Sequence, residues 1–369
     1  MKLKIGIIYG GISTEHEISI ISALQAINNI DTDKYVVVPI YLSKTGIFYT
    51  GKYLLNIDNY KNLNLISKKC KEVSIIKKNN DFVLLNVNFP HKVLTNIDIF
   101  FPIVHGYNVE DGSIAGFLET IGAPYAESDL YASLVGQDKV LQKMVFKENG
   151  INTTEFVYFY DNEYLTNQNN IIEKIKELSF PVIVKPARLG SSVGISIAKD
   201  GISLKEAIEN AIKYDEKIIV EKLIDNLKEL NCSVLGDKNL YKTSLIEEVS
   251  AKENILSYED KYISGGKTKG MASAKRKVPA DIPNKITKEI ENMSIKACKV
   301  LNTSGIVRID YLYDTKSDVV YLNEINIIPG SLSFYLWKNT KYKDLLTNII
   351  ELGIEKYKNK SKKETSFET

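Results

Sequence analysis

The chain has 369 residues, a length that suits two or three packed subdomains with a sizeable apolar core. Its 48 Lys and Arg residues nearly balance its 46 Asp and Glu residues, so the charge gives no indication of nucleic acid as a partner. Three cysteines without metal-ligand spacing argue against a disulfide framework or thiolate zinc site and fit a reducing cytoplasm. Neither a secretion signal nor an apolar run of membrane-spanning length is found, so we expect no membrane partner.

The first third of the chain alternates between strand and helix patterns. The predicted elements are strands at 4–9, 36–40 and 97–104 and helices at 17–27 and 112–121. Gly10, Gly11, Ile12 and Ser13 break the pattern between the first strand and the first helix. This alternation predicts an open α/β domain over residues 1–125.

The middle of the chain predicts a second subdomain over residues 126–218. The predicted elements are helices at 133–149 and 204–214 and strands at 154–159, 180–185 and 194–198. Asn149-Gly150 is a typical C-terminal signal for the first of these helices. A Gly/Ser loop at 188–194 lies inside a predicted hairpin, where it could fold over a ligand.

The remaining sequence predicts a third subdomain over residues 219–357 and a solvated tail at 358–369. The predicted elements are strands at 217–222, 229–235, 245–249, 305–313 and 319–325 and a helix at 283–301. A long irregular stretch at 256–279 interrupts them, and loops of that length inside a domain are usually functional. Its glycines and its lysine are typical of a segment that closes over a site.

Four polar side chains occupy matching positions on the last two predicted strands. Arg308 and Asp310 are two residues apart, as are Glu324 and Asn326, so each pair shares a strand face. The short connection at 314–318 predicts an antiparallel hairpin that brings the pairs together. Carboxylate and amide oxygens suit Mg²⁺ shared with phosphate. The alternative is two solvated strand faces, but the apolar flanks favour a cleft.

A lysine at a strand end precedes the Gly/Ser loop. Backbone N–H groups in a loop such as Gly190-Ser191-Ser192 can cradle phosphate, with Lys185 beside them. No Walker A motif occurs in the chain. Alone, such a hairpin is more often a tight turn, so the interpretation depends on further candidate anchors at Lys139 and at Glu221-Lys222.

Two further candidates lie in the first domain. The glycine turn before Glu15 lacks the G-x-G-x-x-G spacing of a dinucleotide site, which argues against a dehydrogenase. Glu15 could simply face the helix dipole, or it could bind a substrate amine. His105 ends a strand at the edge where open α/β sheets bind ligands, and Glu110-Asp111-Gly112 follows it.

Together these motifs resemble, in order and over residues 4–346, the D-alanine–D-alanine ligase family of the ATP-grasp superfamily. The resemblance implies an α/β ATP-grasp fold, in which an open α/β N-terminal domain precedes two α+β subdomains that clamp ATP. It also implies a cytoplasmic homodimer that makes a dipeptide for peptidoglycan precursors through a D-alanyl phosphate.

The resemblance assigns substrate and catalytic roles to particular residues. Glu15 would hold the ammonium of the first D-alanine beside His105, and Ser191 and Tyr262 would join Glu15 in a hydrogen-bonded clasp. Lys261 would reach the transferred phosphate and the second substrate. Arg308 and the backbone N–H of Gly330 would form the oxyanion site, and Ser331 and Tyr335 would belong to the second-substrate site.

The resemblance also implies the residues that bind ATP and metal. Two Mg²⁺ ions, replaceable by Mn²⁺, would bind Asp310, Glu324 and Asn326. Lys139 and Lys185 would contact the ATP phosphates, Glu221 the adenine amino group and Glu229 the ribose. The residues implied to bind ATP are Lys139, Lys185, Ser192, Glu221, Lys222 and Glu229.

The chain departs from the family pattern at two places. Leu189 replaces the usual glutamate of the Gly/Ser loop, and a bulky stretch at 331–337 replaces small hydroxyl residues that hold the second substrate's carboxylate. That stretch and residues 270–273 are similar to the D-alanine–D-serine branch associated with vancomycin resistance. We therefore expect D-serine or D-alanine as the acceptor. The alternatives are another ATP-grasp carboxylate–amine ligase and a nucleotide-binding module without catalysis.

Overall fold

The computed structural model describes residues 2–249 and 276–364, whose strands form three sheets. Two predicted site residues, Lys261 and Tyr262, and most of the irregular stretch at 256–279 lie outside the described residues. Within the described ranges, no helix is both long and apolar enough to cross a membrane.

The first sheet has seven strands and belongs to the N-terminal domain. Its strands are β1 (Leu3–Gly10), β2 (Tyr35–Leu42), β3 (Phe48–Thr50), β4 (Lys71–Lys78), β5 (Asp81–Asn86), β6 (Val93–Ile97) and β7 (Ile99–Pro102). The order is β6-β5-β4-β3-β2-β1-β7, with β2, β1 and β7 parallel and the other pairs antiparallel. The prediction of one strand at 97–104 is wrong, because β6 and β7 are the two edges of this sheet. They are joined through Asp98, so the sheet must curl until its edges meet.

The first helix of this domain packs against β1. The helices are α1 (His16–Asn29), α2 (Ile66–Lys69) and α3 (Ser113–Thr120), with 3₁₀ turns at Lys52–Leu55, Ile57–Lys61 and Leu63–Leu65. α1 and α3 confirm the predicted helices at 17–27 and 112–121. α1 begins directly after Glu15, so Glu15 lies at the carboxyl edge of β1.

The first predicted helix of the middle segment, at 133–149, is in fact two helices. α4 (Leu130–Gln137) ends before Asp138, and α5 (Lys139–Glu148) begins after it. Asp138 has an extended backbone, and its side chain accepts hydrogen bonds from the N–H groups of Val140 and Leu141. Such a cap starts a new helix, and it interrupts a periodicity that would otherwise read as continuous.

The second sheet has four antiparallel strands. They are β8 (Phe156–Tyr160), β9 (Val182–Pro186), β10 (Ser196–Ala198) and β11 (Lys217–Lys222), in the order β10-β9-β11-β8. The helices α6 (Asp161–Lys176) and α7 (Gly201–Ile212) cover it and form a separate apolar core. The predicted hairpin around the Gly/Ser loop is confirmed by the pairing of β9 with β10. The predicted boundary at 218/219 divides β11, which pairs with both β8 and β9 through Lys222.

The third sheet completes the fold. Its strands are β12 (Leu227–Asp237), β13 (Leu240–Thr243), β14 (Glu247–Val249), β15 (Arg276–Lys277), β16 (Gly305–Asp314) and β17 (Val319–Asn326). The order is β15-β14-β12-β16-β17, and β13 pairs with β12. The helices α8 (Asn284–Leu301) and α9 (Tyr342–Lys360) pack on it. α9 continues to Lys360, so the first three residues of the predicted solvated tail are helical, and the boundary at 358 stays a prediction. The first and third sheets share one apolar core.

We predict that Asp138→Ala destabilises the protein strongly. Besides capping α5, Asp138 accepts a hydrogen bond at 2.7 Å from the buried ammonium of Lys217 on β11. Losing the cap costs about 1 kcal/mol and leaving the lysine unpaired roughly 3 kcal/mol. Asp138→Asn keeps an acceptor oxygen for the helix cap and for Lys217, so its loss of unfolding free energy should be less than half of that in Asp138→Ala. Urea unfolding of wild type and both variants measures these losses. Equal losses in the two variants would contradict the prediction.

Candidate active site

The antiparallel pairing of β16 with β17 brings the four predicted polar residues together. Arg308 lies opposite Asn326, and Asp310 lies opposite Glu324. The Arg308 Nε and Nη2 atoms donate to the two Asp310 carboxylate oxygens at 2.6 and 2.7 Å. The Asn326 amide donates to Asp310 Oδ2 at 3.2 Å. A carboxylate, an amide and a guanidinium therefore meet on one face of the sheet.

The charge of Arg308 is fixed by this pairing. Burial alone would lower its pKa, but the adjacent Asp310 carboxylate outweighs burial and keeps the pKa well above its usual value. Arg308 is thus a permanent cation with two of its five N–H groups committed to Asp310. Such a group can stabilise negative charge that develops beside it.

Two lysines lie between the second sheet and β17. The Lys139 ammonium lies 3.4 Å from a Glu324 carboxylate oxygen and donates to the Leu189 carbonyl of the Gly/Ser loop at 2.7 Å. Lys185 on β9 donates to the Asn323 side chain at 3.4 Å. Of the two predicted phosphate-binding lysines, Lys139 therefore lies against the predicted metal ligand Glu324 and Lys185 against its neighbour Asn323, and both lysines are largely buried.

The Glu221 carboxylate forms hydrogen bonds and ion pairs with other side chains of the protein. Its carboxylate accepts from Lys185 at 3.2 Å and from Thr154 at 2.7 Å, and it lies 3.1 Å from the ammonium of Lys143. Burial would raise its pKa, but the Lys143 and Lys185 charges lower it to about 2. Lys143 was missed by the sequence reasoning, because nothing in the spacing from 143 to 221 indicates contact. The predicted adenine contact of Glu221 stays a prediction.

The Gly/Ser loop approaches the first domain. Ser191 donates a hydrogen bond to the Glu15 carboxylate, as the predicted clasp requires of these two residues. Ser191 and Ser192 both have left-handed backbones, with φ of 54° and 60°. A Cβ atom on Gly190 would lie 2.8 Å from a Glu15 oxygen, so the close approach favours glycine there. The third predicted member of the clasp, Tyr262, is outside the described residues.

His105 lies beneath the turn that follows β17. The side chain is 3% exposed, and its Nε2 atom lies 2.9 Å from the Ser22 hydroxyl. Burial lowers its pKa to about 4, although a hydrogen bond to the Ile328 backbone opposes this, so the ring is neutral at pH 7. His105 lies close to the site, where it contacts Ser22 and the backbone of Ile328. The contact of His105 with the substrate stays a prediction.

Glu110 connects the same turn to the first domain. Its carboxylate accepts from the Gly106 N–H at 2.9 Å and from the Ile328 N–H at 3.1 Å. Loss of solvent and the nearby Glu15 carboxylate raise the pKa of Glu110 to about 8. Sequence reasoning noted this residue beside His105 but gave it no role.

The remaining predicted residues lie around these groups. Gly330 and Ser331 begin the 3₁₀ segment Gly330–Leu336 that follows the turn after β17, and Ser331 has a left-handed backbone with φ of 52°. The Tyr335 ring lies 4.2 Å from the guanidinium carbon of Arg276, and its hydroxyl is buried without a hydrogen-bond partner among the described residues. Lys222 and Glu229 are solvent-exposed at the ends of β11 and β12.

We predict that Glu221→Gln lowers the free energy of unfolding by roughly 3 kcal/mol at pH 7, because Lys143 and Lys185 lose their buried counterion. The folded pKa of about 2 is below the usual value of 4.5, so this stabilisation is complete above 4.5 and is lost as the pH falls toward 2. Urea unfolding should show a gap from wild type that narrows below pH 4.5.

Glu216→Gln is the matched control for Glu221→Gln. Glu216 forms a more exposed ion pair with Arg188, and its loss should cost less than about 1 kcal/mol. A pH-independent gap for Glu221→Gln would show that its charge does not provide the stabilisation.

Comparison with known proteins places this chain among its relatives. Residues 4–128 match the family model described as D-ala D-ala ligase N-terminus, and residues 145–351 match the one described as D-ala D-ala ligase C-terminus. A D-alanine–D-alanine ligase of Thermosipho melanesiensis is 39% identical over 362 residues, covering 97% of this chain and 95% of the relative.

Solved structures agree in fold. The VanG D-Ala:D-Ser ligase of Enterococcus faecalis is 28% identical with a TM-score of 0.79, covering 96% of this chain and 100% of that one. The D-alanine-D-alanine ligase of Coxiella burnetii is 27% identical with a TM-score of 0.79, covering 98% and 96%. The ATP-grasp fold is thereby confirmed. With both family models matched and a relative aligned along almost its whole length, the chain belongs to the D-alanine–D-alanine ligase family.

Proposed function

We propose that this protein is an ATP- and Mg²⁺-dependent ligase that joins D-alanine to a second D-amino acid for peptidoglycan precursors. The observation that supports this most is the meeting of Arg308, Asp310 and Asn326 on one face of the sheet, with Lys139 and Lys185 against the neighbouring Glu324 and Asn323. A carboxylate–amine ligase needs cationic and metal-binding groups together, because it must first stabilise the charge of the transferred phosphate and then that of an oxyanion.

The first step transfers the γ-phosphoryl group of ATP to the carboxylate of the first D-alanine. A carboxylate is a poor acyl donor, whereas the resulting acyl phosphate has a good leaving group. Lys139 and Lys185 are placed to offset phosphate charge at the cleft. The Gly/Ser loop at 188–194, tied to Lys139 through the Leu189 carbonyl, would cover the phosphates.

The donor set of β16 and β17 fits Mg²⁺. Asp310, Glu324 and Asn326 supply carboxylate and amide oxygens, which a hard divalent cation prefers. Among the described residues no group of three His, Cys, Asp or Glu side chains is close enough to hold a metal, so phosphate oxygens and water would complete the coordination. Mg²⁺ bound there would neutralise charge on the transferred phosphoryl group.

The first D-alanine would lie between the N-terminal domain and the Gly/Ser loop. Glu15 is a carboxylate at the carboxyl edge of β1, the position where α/β sheets bind ligands. It would hold the substrate ammonium while Ser191 hydrogen-bonds to the same carboxylate. In this arrangement substrate binding and loop closure support each other.

In the second step the amine of the acceptor attacks the acyl carbon. Arg308 and the Gly330 N–H would stabilise the tetrahedral oxyanion, and phosphate then leaves. Water must be excluded, because it would hydrolyse the acyl phosphate. The predicted contribution of Lys261 to this step, and that of Tyr262 to closure, stay predictions, as does the homodimer.

The acceptor is D-alanine or D-serine. Tyr335 belongs to the bulky stretch at 331–337 that departs from the family pattern, and its buried hydroxyl has no hydrogen-bond partner among the described residues. Such a group is suited to receive a polar group of the acceptor. Likeness to VanG in structure supports D-serine, while the higher sequence identity to D-alanine–D-alanine ligases supports D-alanine.

We predict that the purified protein releases phosphate from ATP only with D-alanine present, and that mass spectrometry of the product finds a D-alanyl dipeptide. With D-alanine plus D-serine, the ratio of dipeptides gives the relative kcat/KM of the two acceptors. Phosphate release that depends instead on other carboxylate and amine substrates would identify another ATP-grasp ligase. ATP binding without turnover would identify a non-catalytic module.

We predict that the activity is abolished by EDTA, restored by Mg²⁺ or Mn²⁺, and weakened by Asp310→Asn. This variant should need at least about tenfold more Mg²⁺ for half-maximal rate, because a ligand oxygen loses its charge. Asp314→Asn, which alters only turn contacts at the end of the same strand, is the control. An unchanged Mg²⁺ requirement in Asp310→Asn would remove Asp310 from the metal site.

A further inference from the structure

The turn that follows β17 is held by side chains of the N-terminal domain. The Ile328 N–H donates to Glu110 at 3.1 Å, and the Ser331 N–H donates to the Ser22 hydroxyl at 2.9 Å. These contacts join residues more than 200 positions apart in the sequence. The turn therefore depends on a domain that contributes no strand to its own sheet.

One assignment of protons satisfies every group in this network. The Ser22 oxygen accepts from Ser331, so its hydroxyl hydrogen is available for the His105 Nε2 atom 2.9 Å away. The backbone of Ile328 also acts on His105, since it opposes the lowering of the His105 pKa by burial. Ile328 is thus held at its N–H by Glu110 and lies against His105.

Gly330 lies between the two anchored N–H groups. Directly after it, Ser331, Leu332 and Ser333 have φ of 52°, 49° and 47°, a left-handed run that is costly for residues other than glycine. A strained backbone persists only where surrounding contacts fix it. The anchors at Ile328 and Ser331 supply such contacts on both sides of Gly330.

We infer that Glu110, with Ser22, is a positioning residue for the second half of the reaction, because it fixes the Gly330 N–H at the oxyanion site from across the domain boundary. This rests on the proposed function. The acyl-phosphate step depends on the lysines, Asp310 and Glu15. Glu110 donates to or accepts from none of them in the described hydrogen bonds, and it is coupled to Glu15 by charge. Loss of Glu110 should therefore slow aminolysis more than phosphoryl transfer.

Asp111 provides a matched control in the same turn. Its carboxylate, like that of Glu110, accepts from two backbone N–H groups, those of Asn108 and Ser113. Both partners are local, so Asp111 supports the turn without reaching Ile328. Asp111→Asn and Glu110→Gln each replace one carboxyl oxygen with an amide NH₂ group in neighbouring residues, and only Glu110→Gln alters the anchor.

The test compares the two half-reactions in each variant. Positional isotope exchange in ATP reports formation of the acyl phosphate, and dipeptide formation reports the whole reaction. In Glu110→Gln the new amide donor would face a backbone N–H, so we expect dipeptide formation to fall about tenfold to a hundredfold. Isotope exchange should fall less than about threefold, whereas Asp111→Asn should change neither rate beyond that limit.

Ser22→Ala tests the second anchor by a milder change, and thermal unfolding of each variant reports whether it is folded. Ser22→Ala should lower the ratio of dipeptide formation to isotope exchange in the same direction as Glu110→Gln. Equal losses in both half-reactions, or equal effects of Asp111→Asn and Glu110→Gln, would overturn the inference. Wild-type protein without isotope exchange or dipeptide would refute the proposed function itself.

Discussion

The antiparallel register between β16 and β17 determines where every polar group of the candidate site lies. Because Asp310 pairs with Glu324 and Arg308 with Asn326, one strand face carries a cation, two carboxylates and an amide. A shift by one residue would turn these side chains into the apolar core and expose Ile309 and Ile325. The cost of burying four polar groups and exposing two isoleucines is what keeps the register unique.

Around this face, buried charged side chains form ion pairs with one another. Glu221 lies between two buried lysines, Asp138 holds Lys217, and Asp310 holds Arg308. Each pair avoids the penalty of an isolated buried ion, yet none is worth much as stabilisation compared with apolar packing. Their value is positional, since each fixes a charged group at the border between two sheets.

Part of this arrangement could be predicted from the sequence. The strands at β1 and β2 are strongly apolar, and the period of two on β16 and β17 showed which polar residues share a face. β4 gave a weaker signal, because lysine, glutamate and serine interrupt its apolar residues. β5 has only four consecutive apolar residues, from Phe82 to Leu85, and was not predicted. The break at Asp138 was hidden because helical periodicity continues on both sides of it.

Contacts between distant residues could not be predicted in the same way. Lys143 lies on α5 and Glu221 on β11, and no local sequence pattern predicts that their side chains are in contact. Ser22 is a hydroxyl on an amphipathic helix, where serine is ordinary. Glu110 was visible as part of a motif, but its partner Ile328 presents only a backbone N–H, which every residue except proline has.

The division of the apolar core has a mechanical consequence. The second sheet has its own core, whereas the first and third sheets share another. Between them lie polar contacts, such as those of Lys139 and Lys185, and a small apolar cluster of Val140, Ala187 and Ile219. Separating the second sheet from the other two would therefore leave both large cores intact. Lys139 and Lys185, the lysines expected to contact the ATP phosphates, lie at that border.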